Sequence, residues 1–95
     1  MDYGKDRKMI YNEYEVPDLV VESLDRYVKH HIPVGSFLEC VLCNDLIGAC
    51  EHADFINRRK LFEIALYVYN EVPSRARGSY DRYKRWLAMR ENNNE

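Results

Sequence analysis

The chain has 95 residues, of which 46% are hydrophobic and 32% charged, and its formal net charge is −2. That length supports one domain around a single core, and the slightly acidic balance excludes a protein that coats nucleic acid through charge alone. No apolar run approaches the about 18 residues that a membrane-spanning helix needs, so no membrane partner is expected.

The opening Met-Asp-Tyr-Gly-Lys-Asp-Arg-Lys is charged throughout and has no apolar h-region. No signal peptide is expected, and the expected compartment is the cytosol. Residues 1–16 read as a polar arm with a short helix over 7–14. Pro17 suits the first position of a helix running to about His31, because its missing N–H is not needed there. Val20, Val21, Leu24, Tyr27 and Val28 give that helix an apolar stripe at three-and-four spacing. Ile32-Pro33-Val34-Gly35 then interrupts it, and Ser36 or the chain near Pro33 caps the next helix. Phe37, Leu38, Val41, Leu42, Leu46 and Ile47 form the most apolar face of the chain, with a kink expected over 44–48, where weak helix formers gather.

Asp54 is the expected N-cap of a long helix over 55–72, with Phe55, Leu61, Phe62, Ala65, Leu66 and Tyr69 facing inward. Pro73 stops that helix. Ser79 caps a last one over 80–90, with Tyr80, Tyr83, Trp86 and Leu87 turned to the core. Residues 91–95 are polar and Asn-rich, and a disordered tail is expected. No strand alternation and no Asn-Gly or Asp-Gly hairpin signal occurs. The expected fold is all-α: a compact single domain of four to five helices over 17–90, assembling into a homo-oligomer.

Catalytic and metal chemistry find little support. Cys40, Cys43, Cys50 and His52 tempt a zinc assignment, but Cys50 and His52 are two apart and diverge on a helix, and the spacing fits no common finger. Reduced thiols in a packing surface are the plainer reading. His30-His31 sits at a helix C-terminus, where the dipole favours a cation or a donor, and no nucleophile is placed beside it. The carboxylates show no acid/base pairing, and no phosphate-binding loop or dinucleotide fingerprint appears. A non-enzyme without cofactor or metal is expected.

The strongest chemical feature is the stretch 67–79, where a helix stops at Pro73, Arg75 and Arg77 follow, and a helix restarts after Gly78-Ser79. Two guanidinium groups beside free helix N–H groups suit an anion. Charge is also split along the chain, with 11 acidic and 5 basic groups in 1–54 against 9 basic and 5 acidic in 55–95. Such polarity suits anion capture or association of one copy's basic half with another's acidic half; an uneven solvated surface is the plainer alternative. For Arg58-Arg59-Lys60, a salt bridge to the acidic half is favoured over a nucleic-acid backbone. Eight tyrosines are many for this length. Most fall on helical stripes, whereas Tyr3, Tyr11 and Tyr14 lie in the polar arm, where a ring beside Lys8 and Asn12 suits stacking on a base; an arm that packs on a neighbouring protomer is the plainer alternative, and the two are compatible.

Ile32-Pro33-Val34-Gly35-Ser36-Phe37-Leu38, then Val41-Leu42-Cys43-Asn44-Asp45-Leu46, and later Tyr69-Asn70-Glu71-Val72-Pro73-Ser74 with Gly78-Ser79 and Trp86-Leu87, form a pattern found in small phage-encoded helical proteins. Over 17–90 the chain resembles the phage anti-CBASS cyclic-oligonucleotide sponges. The resemblance implies a small helical protomer assembled into a homohexamer, which sequesters cyclic di- and trinucleotides in the cytoplasm of an infected bacterial host without chemistry. It implies a cyclic dinucleotide site between protomers, matched here by Tyr11 and Arg26 with Lys8 and Asn12 as neighbours. Arg26 stands where the family pattern has a lysine, which keeps the charge and changes the geometry. It places the cyclic trinucleotide site near the final loop, at Arg75 or Arg77 with Ser79. No long nucleic acid is an expected partner. A helical module that inhibits or redirects a host protein is the alternative.

Overall fold

The chain folds as follows in a computed structural model that describes residues 14–93. The expected helix over 7–14 therefore lies outside the described residues except for Tyr14, and Lys8, Tyr11 and Asn12 lie outside them entirely. Helix α1 spans Asp18–His30. Pro17 sits at its N-cap, one position earlier than expected, and its carbonyl accepts from the N–H groups of Val20 and Val21. The helix ends in an αL cap: His31 adopts the left-handed conformation at φ 58°, its N–H bonds the Tyr27 carbonyl, and the Ile32 N–H reaches Arg26. Val20, Leu24 and Tyr27 are buried, as the stripe predicts.

The apolar segment after Gly35 breaks where a kink was expected. Helix α2 covers Ser36–Leu42 and α3 covers Leu46–His52, separated by Asn44 at φ 66° and Asp45. Asp45 caps α3, its carboxylate accepting from the Gly48 N–H at 2.9 Å. Phe37, Leu38 and Leu42 enter the core, and Ala49 is the buried residue of α3. Leu46 and Ile47 were expected inside. They are exposed, because the break re-phases α3 so that Ala49 takes the inward position.

The expected long helix over 55–72 is two helices. Asp54 caps α4, Phe55–Arg59, through the Asn57 N–H at 2.8 Å, and α5 follows over Leu61–Glu71. Lys60 joins them at φ −109°, ψ 14°, with its N–H shared between the Ile56 and Asn57 carbonyls. Its ammonium lies 3.6 Å from Glu15, an acidic partner of the kind expected for the basic run. The break overturns the expected inward face. Ile64 and Val68 point into the core, while Phe55, Phe62, Ala65, Leu66 and Tyr69 are on the surface. A 3-10 turn, Ser74–Ala76, leads into α6, Tyr80–Asn93, which runs beyond the expected end at 90. Tyr83 and Trp86 are buried on α6 and Leu87 half-buried, but Tyr80 is exposed and carries the Lys84 ammonium 5.4 Å over its ring.

The described residues thus hold six α-helices and no strand. No helix among them is long and apolar enough to cross a membrane. The core joins α1 to α6 through Tyr27, which is fully buried. Its hydroxyl donates to the Ala76 carbonyl at 2.6 Å, its carbonyl accepts from Trp86 Nε1 at 2.9 Å, and its ring stacks on Tyr83 at 5.4 Å between centroids. His31, only 8% exposed, packs on Trp86 and donates from Nδ1 to the Trp86 carbonyl at 2.9 Å. A carbonyl can only accept, so that nitrogen carries the proton.

Gly48 is the tight point of the α2–α3 corner. A Cβ there would collide with the capping carboxylate of Asp45 and lie 2.9 Å from Cys40 Sγ. Gly48→Ala is expected to lower stability by about 1–3 kcal/mol, the usual cost of overfilling a packed site, measured by denaturant unfolding. Gly35→Ala, whose added methyl meets nothing within 4 Å, is expected to cost clearly less.

Candidate functional site

The loop that carries Arg75 and Arg77 is held from three sides. Arg77 donates from Nε to the Val72 carbonyl and from Nη2 to the Tyr69 carbonyl, both at 3.1 Å. These carbonyls belong to the C-terminal end of α5, whose last turn has no helical N–H to meet them, so Arg77 caps α5. Its guanidinium also lies 5.2 Å from the centre of the exposed Tyr69 ring. The Gly78 N–H donates to the Leu42 carbonyl at 2.7 Å and ties the loop to the end of α2. Gly78 has φ 111°, which a side chain resists. Ser79 Oγ accepts from the Arg82 N–H at 3.2 Å and caps α6, as its position predicts.

The Arg77 side chain and the Gly78 N–H are therefore committed inside the fold, and Ser79 Oγ accepts at the start of α6. Arg75 is placed differently. It projects from the 3-10 turn and lines a cleft of about 310 Å³ with Ser74, Arg82, Arg85, Trp86 and Met89. Three of these six residues are arginines and none is acidic. Arg82 is fixed by hydrogen bonds from Nη1 to the Ser74 carbonyl at 3.1 Å and the Arg77 carbonyl at 3.4 Å. Arg75 and Arg85 are exposed and make no hydrogen bond or ion pair among the described residues. Trp86 is pinned by its bond to Tyr27, so the wall it contributes is rigid.

Chemically, the cleft offers planar cationic donors beside an indole, which suits a phosphate carried on an aromatic base. At about 310 Å³ it is at the small end of ligand pockets, which run from about 300 to 1,000 Å³. Arg82 and Arg85 escaped the sequence reading. Their three-and-four spacing with Trp86 and Met89 on one helix face was visible, but of these four only Trp86 was considered, and it was assigned to the core.

The other candidates are dispersed. Arg26 is exposed on α1, donating to Ser23 Oγ at 3.3 Å. Tyr11, Lys8 and Asn12 are outside the described residues. Tyr14, grouped with the arm's stacking rings, instead packs edge-on against Tyr67 at 5.4 Å, and its hydroxyl donates to Glu71 at 3.1 Å. Cys40 and Cys43 are half-buried free thiols packed on the core, and Cys50 is exposed. No group of three or more His, Cys, Asp and Glu side chains among the described residues is arranged to hold a metal ion. Burial, then the Asp45 and Glu39 carboxylates, pushes the Cys40 thiol up; burial and Glu39 push Cys43 up to about 11. Neither is an activated nucleophile.

Compared with known proteins, the chain matches no family model, no curated sequence and no solved structure.

Three measurements check this assignment of roles. Arg77→Ala removes two hydrogen bonds and a ring contact and is expected to cost about 1–3 kcal/mol of stability, seen as a lower unfolding midpoint. The thiol environment fixes a pH dependence. Cys43 holds its proton in the folded chain up to about 11 against an ordinary 9.0, and burial raises Tyr27 and Tyr83 as well. The folded state therefore binds more protons than the unfolded state above pH 9. Stability from Cys43 is complete below pH 9 and falls as pH rises from 9 through 11. Disulfide-exchange labelling at pH 8 is expected to modify Cys50 first, with Cys40 and Cys43 reacting only slowly.

Proposed function

We propose that the protein is a non-catalytic sponge for cyclic oligonucleotide second messengers, acting in the cytoplasm of an infected bacterial host to block CBASS antiphage signalling. The observation that carries this reading is the cleft of Arg75, Arg82 and Arg85 beside Trp86, joined to the sequence resemblance over 17–90. A cyclic trinucleotide presents phosphates at fixed spacing and bases with exposed faces, and the cleft supplies cations and an aromatic wall for one such unit. It is too small to enclose a whole ring of nucleotides, so further walls come from other copies of the chain in a homo-oligomer, a homohexamer in the resemblance. Arg75 keeps its role in this reading. Arg82 and Arg85 join it, whereas Arg77 and Ser79 act by building the loop. For cyclic dinucleotides the reading retains Tyr11 and Arg26, with Lys8 and Asn12 beside them. Binding without turnover agrees with Cys40 and Cys43 thiols held protonated and with a His31 side chain committed to the Trp86 carbonyl.

Isothermal titration against cyclic tri-adenylate and 3′,3′-cyclic GMP-AMP tests the proposal; no heat and no thermal shift with either ligand would sink it. Arg85→Glu is expected to weaken the trinucleotide at least about tenfold, since a charge-assisted hydrogen bond contributes about 1.5–3 kcal/mol, while leaving thermal stability unchanged. Tyr11→Ala is expected to weaken the dinucleotide and spare the trinucleotide.

One observation favours a second reading, a module that inhibits or redirects a host protein. Leu46, Ile47, Phe55, Ile56 and Phe62 are all more than half exposed on α3 to α5, an apolar surface of the kind that marks a protein contact. A monomer in solution that retains one specific host protein through those side chains, and no nucleotide, would establish it instead.

A further inference from the structure

Ser74 is the one hydroxyl among the residues that line the arginine cleft, and its Oγ makes no hydrogen bond among the described residues. Its carbonyl is occupied instead, accepting from Arg82 Nη1 at 3.1 Å and from the Arg77 N–H at 3.4 Å. The residue is exposed on the 3-10 turn, with Pro73 before it and Arg75 and Arg77 after it. The other serines are placed differently. Ser23 Oγ accepts from Arg26, Ser79 Oγ accepts from the Arg82 N–H, and Ser36 opens on a recess that holds an aspartate and no arginine.

Three guanidinium groups share a cleft of about 310 Å³ whose lining has no carboxylate, so they repel one another until an anion sits among them. Asp81, the acidic residue in the first turn of α6, is not part of that lining. Of the lining side chains, only Ser74 can carry a covalently attached anion. We propose that Ser74 is a phosphoacceptor, and that its phosphate turns into the cleft and closes it to any other anion. In the modifying step, a protein kinase supplies a nucleoside triphosphate. The Ser74 Oγ–P bond forms, the bond from that phosphorus to the bridging oxygen breaks, the hydroxyl proton passes to the kinase's base, and the nucleoside diphosphate leaves. A phosphoserine carries about −1.5 to −2 charges at pH 7 and three acceptor oxygens, which an arginine cluster meets with charge-assisted hydrogen bonds. Arg82 already lies against the Ser74 backbone, Arg75 is its neighbour, and Arg75 and Arg85 have donors free among the described residues. The turn itself is held by the Tyr27 hydroxyl on the Ala76 carbonyl and by Arg77 on the end of α5. The phosphate is therefore delivered to a fixed place, and closing the cleft orders little else.

This closure does not depend on which anion the cleft takes; only its effect on a cyclic trinucleotide rests on the sponge reading. Phosphorus NMR of the full chain with phosphoserine encoded at position 74 tests the closure directly. The second phosphate ionisation is expected about one unit below its ordinary value of about 6, and to move back towards it in an Arg75→Gln/Arg85→Gln chain of unchanged helicity. A midpoint at the ordinary value, or one that the double substitution does not move, would overturn the closure. Cyclic tri-adenylate is expected to bind the phosphorylated chain at least about tenfold more weakly than the unmodified one, and to recover after phosphatase treatment. Equal binding before and after that treatment would overturn the closure as well. If the unmodified chain does not bind this probe, the sponge reading fails and the phosphorus titration alone decides the closure. The acceptor role is tested by peptide mass spectrometry of the chain recovered, with phosphatases inhibited, from the cells that naturally make it. Phosphate on Ser74 is expected; its absence there would overturn the proposal.

Discussion

The Tyr27 side chain and peptide tie the first helix to the distal turn and to the last helix at once. The residue is on α1, yet its hydroxyl is committed to Ala76 in the 3-10 turn and its carbonyl to Trp86 on α6. A buried hydroxyl must find a partner or lose a few kcal/mol, so the turn that follows Pro73 has one permitted position relative to α1. His31 and Tyr83 close the same arrangement from either side, through the Trp86 carbonyl and the Val34 N–H. The left-handed residue that ends α1 thus delivers a donor to α6.

That fixed turn sorts the arginines. They have equal charge, and their different roles come from which carbonyls lie within reach. Arg77 follows the turn at a point where the end of α5 exposes two unpaired acceptors, and it satisfies them. Arg82, one turn into α6, reaches back to the carbonyls of the turn itself. Arg75 and Arg85 meet no such acceptor and remain directed to the cleft. Two cations bound into the fold, Arg77 and Arg82, are thus flanked by two exposed ones, Arg75 and Arg85, within one loop and helix.

The sequence made the helical fold class and several boundaries legible because those signals are local. The stripe from Val20 to Tyr27, the caps at Asp54 and Ser79, and the stop at Pro73 depend on a few neighbouring residues, and all are as expected. What was not legible depended on breaks of a single residue. Lys60 carries no turn signature, yet its change of backbone angle separates α4 from α5 and moves the inward face to Ile64 and Val68. Phe62, Leu66 and Tyr69 have the spacing of core residues, and periodicity cannot tell a face buried within the chain from one that awaits another surface. The role of Arg77 was hidden for a similar reason: a sequence marks a cation near a helix end but not which end its guanidinium reaches.

Trp86 is the only tryptophan of the chain. It lines the arginine cleft, lies 4.9 Å from the His31 ring and 6.4 Å from that of Tyr27, and is 8% exposed. One fluorophore is thus placed where the cleft and the core meet. Its emission wavelength reports whether α1 and α6 remain docked, while under the proposed function quenching by a bound base would report occupancy of the cleft. The molecule carries its own optical probe for both events, with no label required.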